Sequence, residues 1–167
     1  MGVECVEKLS DHQTMQRVRI ISKGAIYMST KKVNKSAVLS VSIGKGCYRH
    51  IQVSLNESLE ELADIILWAF DFCNDHAHAF FMDNKAWSNY DCYYMAEVDE
   101  ENEYRHTCDV KLSKLELQKD DKFKFVFDFG DDWEFQCRVL RIIDEDTDEA
   151  MMIRTVGGSP EQYTVYE

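Results

Sequence analysis

Proline occurs once in 167 residues and glycine only seven times, so the chain has no flexible linker, collagen-like repeat or low-complexity tract. Six cysteines (Cys5, Cys47, Cys73, Cys92, Cys108, Cys137) include no CxxC pair, which leaves out the common zinc and redox spacings. No apolar run approaches the roughly 20 residues that a membrane helix needs, and the early residues carry acidic groups where a signal peptide would be apolar. A GxSxG elbow, a Walker loop and a GxGxxG turn are all missing. These absences lead to the expectation of a reduced cytoplasmic protein without disulfides, with no membrane span and no catalytic apparatus that a motif can mark.

Positive charge is also scarce. Nineteen Lys and Arg face 31 Asp and Glu, for a formal net charge of -12, and the excess concentrates in "EVDEENE" (Glu97 to Glu103) and "DEDTDE" (Asp144 to Glu149). Such a surface repels phosphate, because nucleic-acid affinity comes mainly from Lys and Arg displacing counterions. The exception is "RVRIISKGAIYMSTKKVNK", Arg17 to Lys35, which holds six of the basic residues. Nucleic acid is therefore expected only through that segment, whose plainer reading is a solvated strand edge guarded by lysine.

What is present is a globular composition, 45% hydrophobic and 30% charged, at a length suited to one domain. Residues 1–35 carry little periodicity and read as a poorly defined extension; 36–167 read as the domain. "SAVLSVSI" puts Ala37, Leu39, Val41 and Ile43 on one face, "GKG" turns, and "CYRHIQV" continues with Cys47, Arg49, Ile51 and Val53 on one face, a hairpin pattern. "SLEELADIILWAFDFC" then starts with Ser58 and Glu61 in capping-box spacing, predicting a helix of about 16 residues, about 24 Å long, with Asn74 as its C-terminal cap. Two apolar stripes on that helix call for a sheet beneath it. Strands are predicted at "HAHAFFM", "DCYYMAEV", "KFKFVFDF", "WEFQCRV" and "EAMMIRTV", with Ser113 and Glu116 as a second capping box. Phe123, Phe125, Phe127 and Phe129 share one face, and a Gly-Asp-Asp loop leads to Trp133. Hairpins around one long helix predict an α+β fold: a mostly antiparallel or mixed sheet with the helix packed across it.

Two constellations invite chemistry. Asp128, Asp131, Asp132 and Glu134 offer hard oxygens to Mg²⁺ or Ca²⁺, although alternation turns Asp128 and Glu134 from the phenylalanine face and loop aspartates commonly bond nearby amides. His76 and His78 fall on one face of a predicted strand, with Asp75 on the other, and zinc would need further ligands. His50 and His106 could join only through the fold.

These motifs in this order resemble the plasmid-derived open-reading-frame-three proteins, named after a root-inducing plasmid and also labelled passenger proteins of an insertion element. "CYRHIQV", the capped helix ending "AFDF", "DHAHAF", "KLSKL", "FDFGDDWEF" and "GGSPEQY" carry the likeness, from about Ser36 to Tyr163. The chain departs from the pattern at Tyr48 and His50, within a usual Trp-Arg-Arg-Ile-like segment, at Phe135, where histidine is usual, and at "DFCN", where Gly-Trp usually closes the helix. The resemblance implies a single α+β domain with a mostly antiparallel sheet, and no particular activity.

The expected function is a non-catalytic cytoplasmic binding module, linked to mobile elements, for an unidentified protein or ligand. Its site is expected where "DHAHAF", "GDDWE" and "GGSPEQY" meet at the strand ends: His76, His78, Asp131, Asp132, Trp133, Glu134 and Tyr163, with Trp133 or Tyr163 as aromatic anchor. No cofactor is expected on this reading. The alternative is a metal-dependent hydrolase or nuclease, with His76, His78, Asp131 and Asp132 holding a divalent metal and Glu134 activating water.

Overall fold

The structure, a computed structural model, describes residues 31–163. Arg17, Arg19 and Lys23 of the basic segment, and most of the proposed extension, lie outside the described residues. Among the described residues eight strands form: β1 (Ser36–Ser42), β2 (Tyr48–Ser54), β3 (His78–Phe81), β4 (Cys92–Tyr94), β5 (Arg105–His106), β6 (Lys122–Phe127), β7 (Trp133–Ile143) and β8 (Met151–Val156). They make one sheet in the order β5-β4-β3-β6-β7-β1-β2-β8. All pairs are antiparallel except β4 with β5, so the sheet is mixed, and with helix α1 (Leu59–Ala69) across it the fold is α+β as expected. Among the described residues no helix is long and apolar enough to cross a membrane.

Alternation decides which side chains meet the helix. Leu39, Val41, Ile51, Val53, Phe123, Phe125, Phe127, Phe135, Cys137 and Val139 are buried with Leu59, Leu62, Ala63 and Ile66 of α1 in the main core. The "GKG" turn forms between β1 and β2, where Gly44 and Gly46 both take positive φ. The helix starts where its capping box requires: Ser58 Oγ accepts from the Glu61 amide at 3.1 Å, and the Ser58 amide donates to Glu61 Oε2 at 2.7 Å.

Several expectations are corrected. The helix has 11 residues rather than about 16, and its cap is not Asn74. Asp71 takes a left-handed φ of 62°, the Asp71 amide donates to Trp68 O at 3.2 Å, and the Phe72 amide donates to Leu67 O at 2.9 Å. That is the pattern of a Schellman ending, with aspartate in the place glycine prefers. Asp71→Gly is therefore expected to raise stability by about 0.5–1 kcal/mol in urea unfolding, the cost of a left-handed L-residue exceeding the entropy glycine adds to the unfolded chain. Lower stability for the glycine variant would show that the Ser159 Oγ contact to Asp71 Oδ2, 3.4 Å, matters more than the backbone.

Ser113 caps nothing. The turn is a 3-10 segment, Leu112–Lys114, without a side-chain cap, held instead by backbone bonds from Leu112 to Glu57 O and from Ser113 to Leu55 O. Phe129 does not join the other three phenylalanines. Strand β6 ends at Phe127, Asp128 takes φ 57°, and the reversal sends Phe129 to the opposite face, where its ring lies 5.0 Å from Trp87 and 6.1 Å from Tyr94. With Ala79, Phe81, Cys92 and Val126 these rings form a smaller second core, which covers the β3-β4-β6 part of the outer face. The "DCYYMAEV" strand is cut to three residues.

Candidate functional site

The three segments do meet. The five-residue loop 128–132 joins β6 to β7, the stretch 73–77 leads into β3, and the chain after β8 returns to both. Asp128 organises the loop: its buried carboxylate accepts from the amides of Gly130 at 3.0 Å and Asp131 at 3.2 Å, as loop aspartates commonly do. His76 precedes β3 rather than lying in it. Its Nδ1 is 2.8 Å from Asp75 Oδ1 and 3.7 Å from Asp128 Oδ2. Tyr163 Oη donates to Asp75 Oδ2 and lies 3.5 Å from His76 Nδ1, while Gln162 Nε2 donates to Asp75 Oδ1 at 3.2 Å. Gln162 also bonds both backbone groups of Cys73, accepting from its amide at 2.6 Å and donating to its carbonyl at 3.0 Å.

The charges reinforce one another. The hydrogen bond to Asp75 raises the His76 pKa against its desolvation, and the charge of Asp128 adds to the rise. Burial pushes the Asp75 carboxyl up, but the bonds from Tyr163 and His76 outweigh it and hold it below the ordinary range. Burial and then Asp75 push the Tyr163 phenol up to about 12. The carboxylates thus favour the protonated form of His76, and Tyr163 stays protonated at neutral pH.

The remaining candidates separate. Asp132, at φ 55°, accepts from the Trp87 indole Nε1 at 3.0 Å. Trp87 itself has φ 64°, a strained value for so large a residue, and its ring is 41% exposed. Trp133, expected as an anchor, is half-buried against the main core, with its ring 5.1 Å from Phe72 and its Nε1 buried without a partner. Glu134 faces the outer side of the sheet and pairs with Lys124 at 3.5 Å. The exposed rings at this end are therefore Tyr163, 46% exposed, and Trp87. Neither Trp87 nor the Asp75-Asp128 brace of His76 was legible, since "DNKAW" reads only as a turn and Asp128 as an outward strand residue.

His78 is only 1% exposed and has its own surroundings: Nε2 bonds Thr107 Oγ1 at 2.9 Å, the ring packs by Phe80 and Phe125, and Nδ1 has no partner. Burial lowers its pKa to about 4. Among the described residues no group of three His, Cys, Asp or Glu is placed to hold a metal, so His76, His78, Asp131 and Asp132 are not assembled as the ligand set of the alternative reading. His50 lies on β2, and His106 bonds Asp99 Oδ2 at 3.0 Å, so neither joins the cluster. Cys47, Cys92, Cys108 and Cys137 are free thiols; Cys73 is disulfide-bonded, which corrects the expectation of no disulfide, because pairing depends on proximity in space and not on spacing.

Two devices hold the returning chain in place. Arg49, 3% exposed, donates from Nε to Ala69 O at 3.0 Å, from Nη1 to Val156 O and Gly157 O at 3.0 Å each, and from Nη2 to Ser159 Oγ at 2.9 Å. Its guanidinium lies 4.7 Å from the Phe70 ring centroid, so the helix end, β8 and the segment beyond share one cation. Gly157 crosses the β1-β2 turn at φ 78°, where an added Cβ would stand 2.3 Å from Gly46 O. The glycines of "GGSPEQY" therefore serve packing here: only glycine lets the backbones come that close.

This arrangement has relatives. A crystal structure of protein MM3350 from Methanosarcina mazei Go1, described as of unknown function, matches with a TM-score of 0.60 at 26% identity, covering 75% of this chain and 72% of that one. A comparison with curated proteins finds no match. The model of a family described as plasmid pRiA4b ORF-3-like protein matches residues 37–162, which take in the capped helix, the Arg49 anchor, the first two segments of the site and the third as far as Gln162. The chain belongs to the plasmid pRiA4b ORF-3-like protein family.

Proposed function

We propose that the chain is a non-catalytic binding module that engages a Lys- or Arg-bearing segment of a partner protein at the loop end formed by 73–77, 128–132 and 157–163. The observation that carries this reading is the pairing of exposed aromatic rings, Tyr163 and Trp87, with the carboxylates of Asp75, Asp131 and Asp132 around them. Arginine and lysine side chains favour such a mixture of ring faces and anionic rim. Asp75, the Tyr163 hydroxyl and His76 Nδ1 are already occupied by one another, which favours a rigid recognition surface over a nucleophile or base waiting for substrate. A cytoplasmic setting belongs to the proposal: the four free thiols among the described residues favour it, and the disulfide at Cys73 counts against it. A link to mobile elements is also part of it, supported by the plasmid origin in the family's description.

The test is a titration of the ¹⁵N-labelled full chain with a short peptide of Lys, Arg and Gly, beside its Glu counterpart and Mn²⁺. The cationic peptide is expected to shift the amides of His76, Asp131 and Asp132 and the Trp87 indole, and Asp131→Asn with Tyr163→Ala should weaken it about fivefold, as rim charges and one ring do. Equal response to the Glu peptide would overturn the proposal. So would saturable Mn²⁺ broadening centred on His76 and Asp131, which would favour the metal-dependent reading.

A further inference from the structure

The outer face of the sheet reverses the charge of the molecule. Register places Arg154 beside His50, His50 beside Ser40, Ser40 beside Arg138 and Arg138 beside Lys122, one row across β8, β2, β1, β7 and β6. At about 4.8 Å per strand this row spans roughly 19 Å. Flanking rows add Arg141, paired in register with Val38, and Tyr48, Ser42, Gln136 and Lys124. Arg138 is paired with Asp120 and Lys124 with Glu134. Arg141 and Arg154 are exposed and have no carboxylate partner among the described residues.

Rings accompany the charge. Tyr48 and His50 lie 5.2 Å apart on this face, and the Arg154 guanidinium sits 5.7 Å from the Tyr48 ring centroid. The field is felt at His50, whose pKa is lowered by desolvation and then by the charges of Arg154 and Arg141. The second core, with Phe129 and Tyr94 packed on it, covers β3, β4 and the Val126 end of β6 on this same outer face, and the proposed site lies beyond it.

We propose that the outer face of β8, β2, β1 and β7, together with Lys122 at the start of β6, binds single-stranded nucleic acid, with Arg154, Arg141 and Lys122 on phosphates and Tyr48 and His50 as a stacking platform for bases. An antiparallel sheet face with half-exposed rings between cations suits unstacked bases, whereas a duplex presents no base faces to it. The net charge of -12 opposes binding by the molecule as a whole. It does not oppose a local contact, because charges more than about 10 Å away are largely screened at 0.1 M salt. This site shares no residue with the loop end proposed above or with the segment Arg17 to Lys35.

Fluorescence anisotropy of labelled twelve-residue oligo(dT) and oligo(U) with the full chain tests the assignment. Three phosphate contacts predict a log-log salt slope of about -2, hence about a 25-fold loss of affinity from 20 to 100 mM salt. The double variant Arg141→Gln/Arg154→Gln is expected to lose at least about tenfold. Tyr48→Val should weaken both oligonucleotides while leaving inorganic polyphosphate unchanged, which separates stacking from charge alone. Thermal melts of each variant check that the fold is intact. No binding at 20 mM salt, wild-type affinity in the double variant, or loss confined to a Lys31→Gln/Lys32→Gln/Lys35→Gln variant would each overturn the proposal.

Discussion

Replacing Arg49 with methionine is expected to cost about 3 kcal/mol of folding stability, measured by urea unfolding at neutral pH. Methionine has the length to fill the space over Phe70 but donates nothing. The carbonyls of Ala69, Val156 and Gly157 and the Ser159 hydroxyl then lose their shared donor, the first in a buried place and the others in half-buried ones. An unsatisfied buried acceptor costs about 1–3 kcal/mol, and relief from desolvating the guanidinium returns part of the total. Arg49→Lys should recover little, because one ammonium cannot span acceptors on the helix end, on β8 and on the segment beyond. The same variants should expose the chain after Val156 to proteases before the rest, since Arg49 ties that segment to the helix. A loss below about 1 kcal/mol would mean that water replaces the guanidinium without penalty.

Acid is expected to find His78. The unfolded chain binds a proton near 6.5 and the folded chain only near about 4, because the buried ring has no room for its hydration. Between those values the unfolded state holds more protons, so the stability contributed by neutral His78 is full above 6.5 and is lost as pH falls toward 4. At 1.36 kcal/mol per pH unit this amounts to about 3 kcal/mol. Glu57 works in the opposite direction: burial, then Glu61 and Asp146, raise its carboxyl to about 7, above the ordinary 4.5, so its contribution is full at low pH and is lost as pH rises through 7. The two partly cancel in the wild type, which makes a difference measurement necessary. His78→Gln keeps a polar group in reach of Thr107 and does not titrate, so the wild type should lose about 3 kcal/mol relative to it between pH 7 and pH 4. Parallel unfolding curves for the two proteins would remove His78 as the acid-sensitive group. Imidazole NMR shifts add a direct check, with His78 neutral until about pH 4 and His76 still charged above 6.5.

Strand and helix identities were largely legible because burial on one face writes a period of 2 or 3.6 into the chain. The capping box at Ser58 was read correctly from four residues, since its two hydrogen bonds are local. Helix length was misread because Phe70 and Phe72 continue the apolar period past the point where Asp71 turns left-handed. Phe129 was misplaced for the same kind of reason, a positive φ at Asp128 breaking the alternation. The candidate site was half legible. The motifs "DHAHAF", "GDDWE" and "GGSPEQY" pointed to one end of the sheet, and Arg49 on an otherwise apolar face was a visible signal that went unused.

The sequence by itself determined the fold class, the start of the helix, the β1-β2 and β6-β7 hairpins and the main core. Each depends on interactions among near neighbours in the chain or on a repeating pattern. Tertiary structure alone decided the strand order, the bracing of His76 by Asp75, Asp128 and Tyr163, the separation of His78 from that cluster, and the basic row across five strands. Those relations join residues up to about 100 positions apart. Their partners follow from the order and register of the strands, which short-range periodicity does not encode.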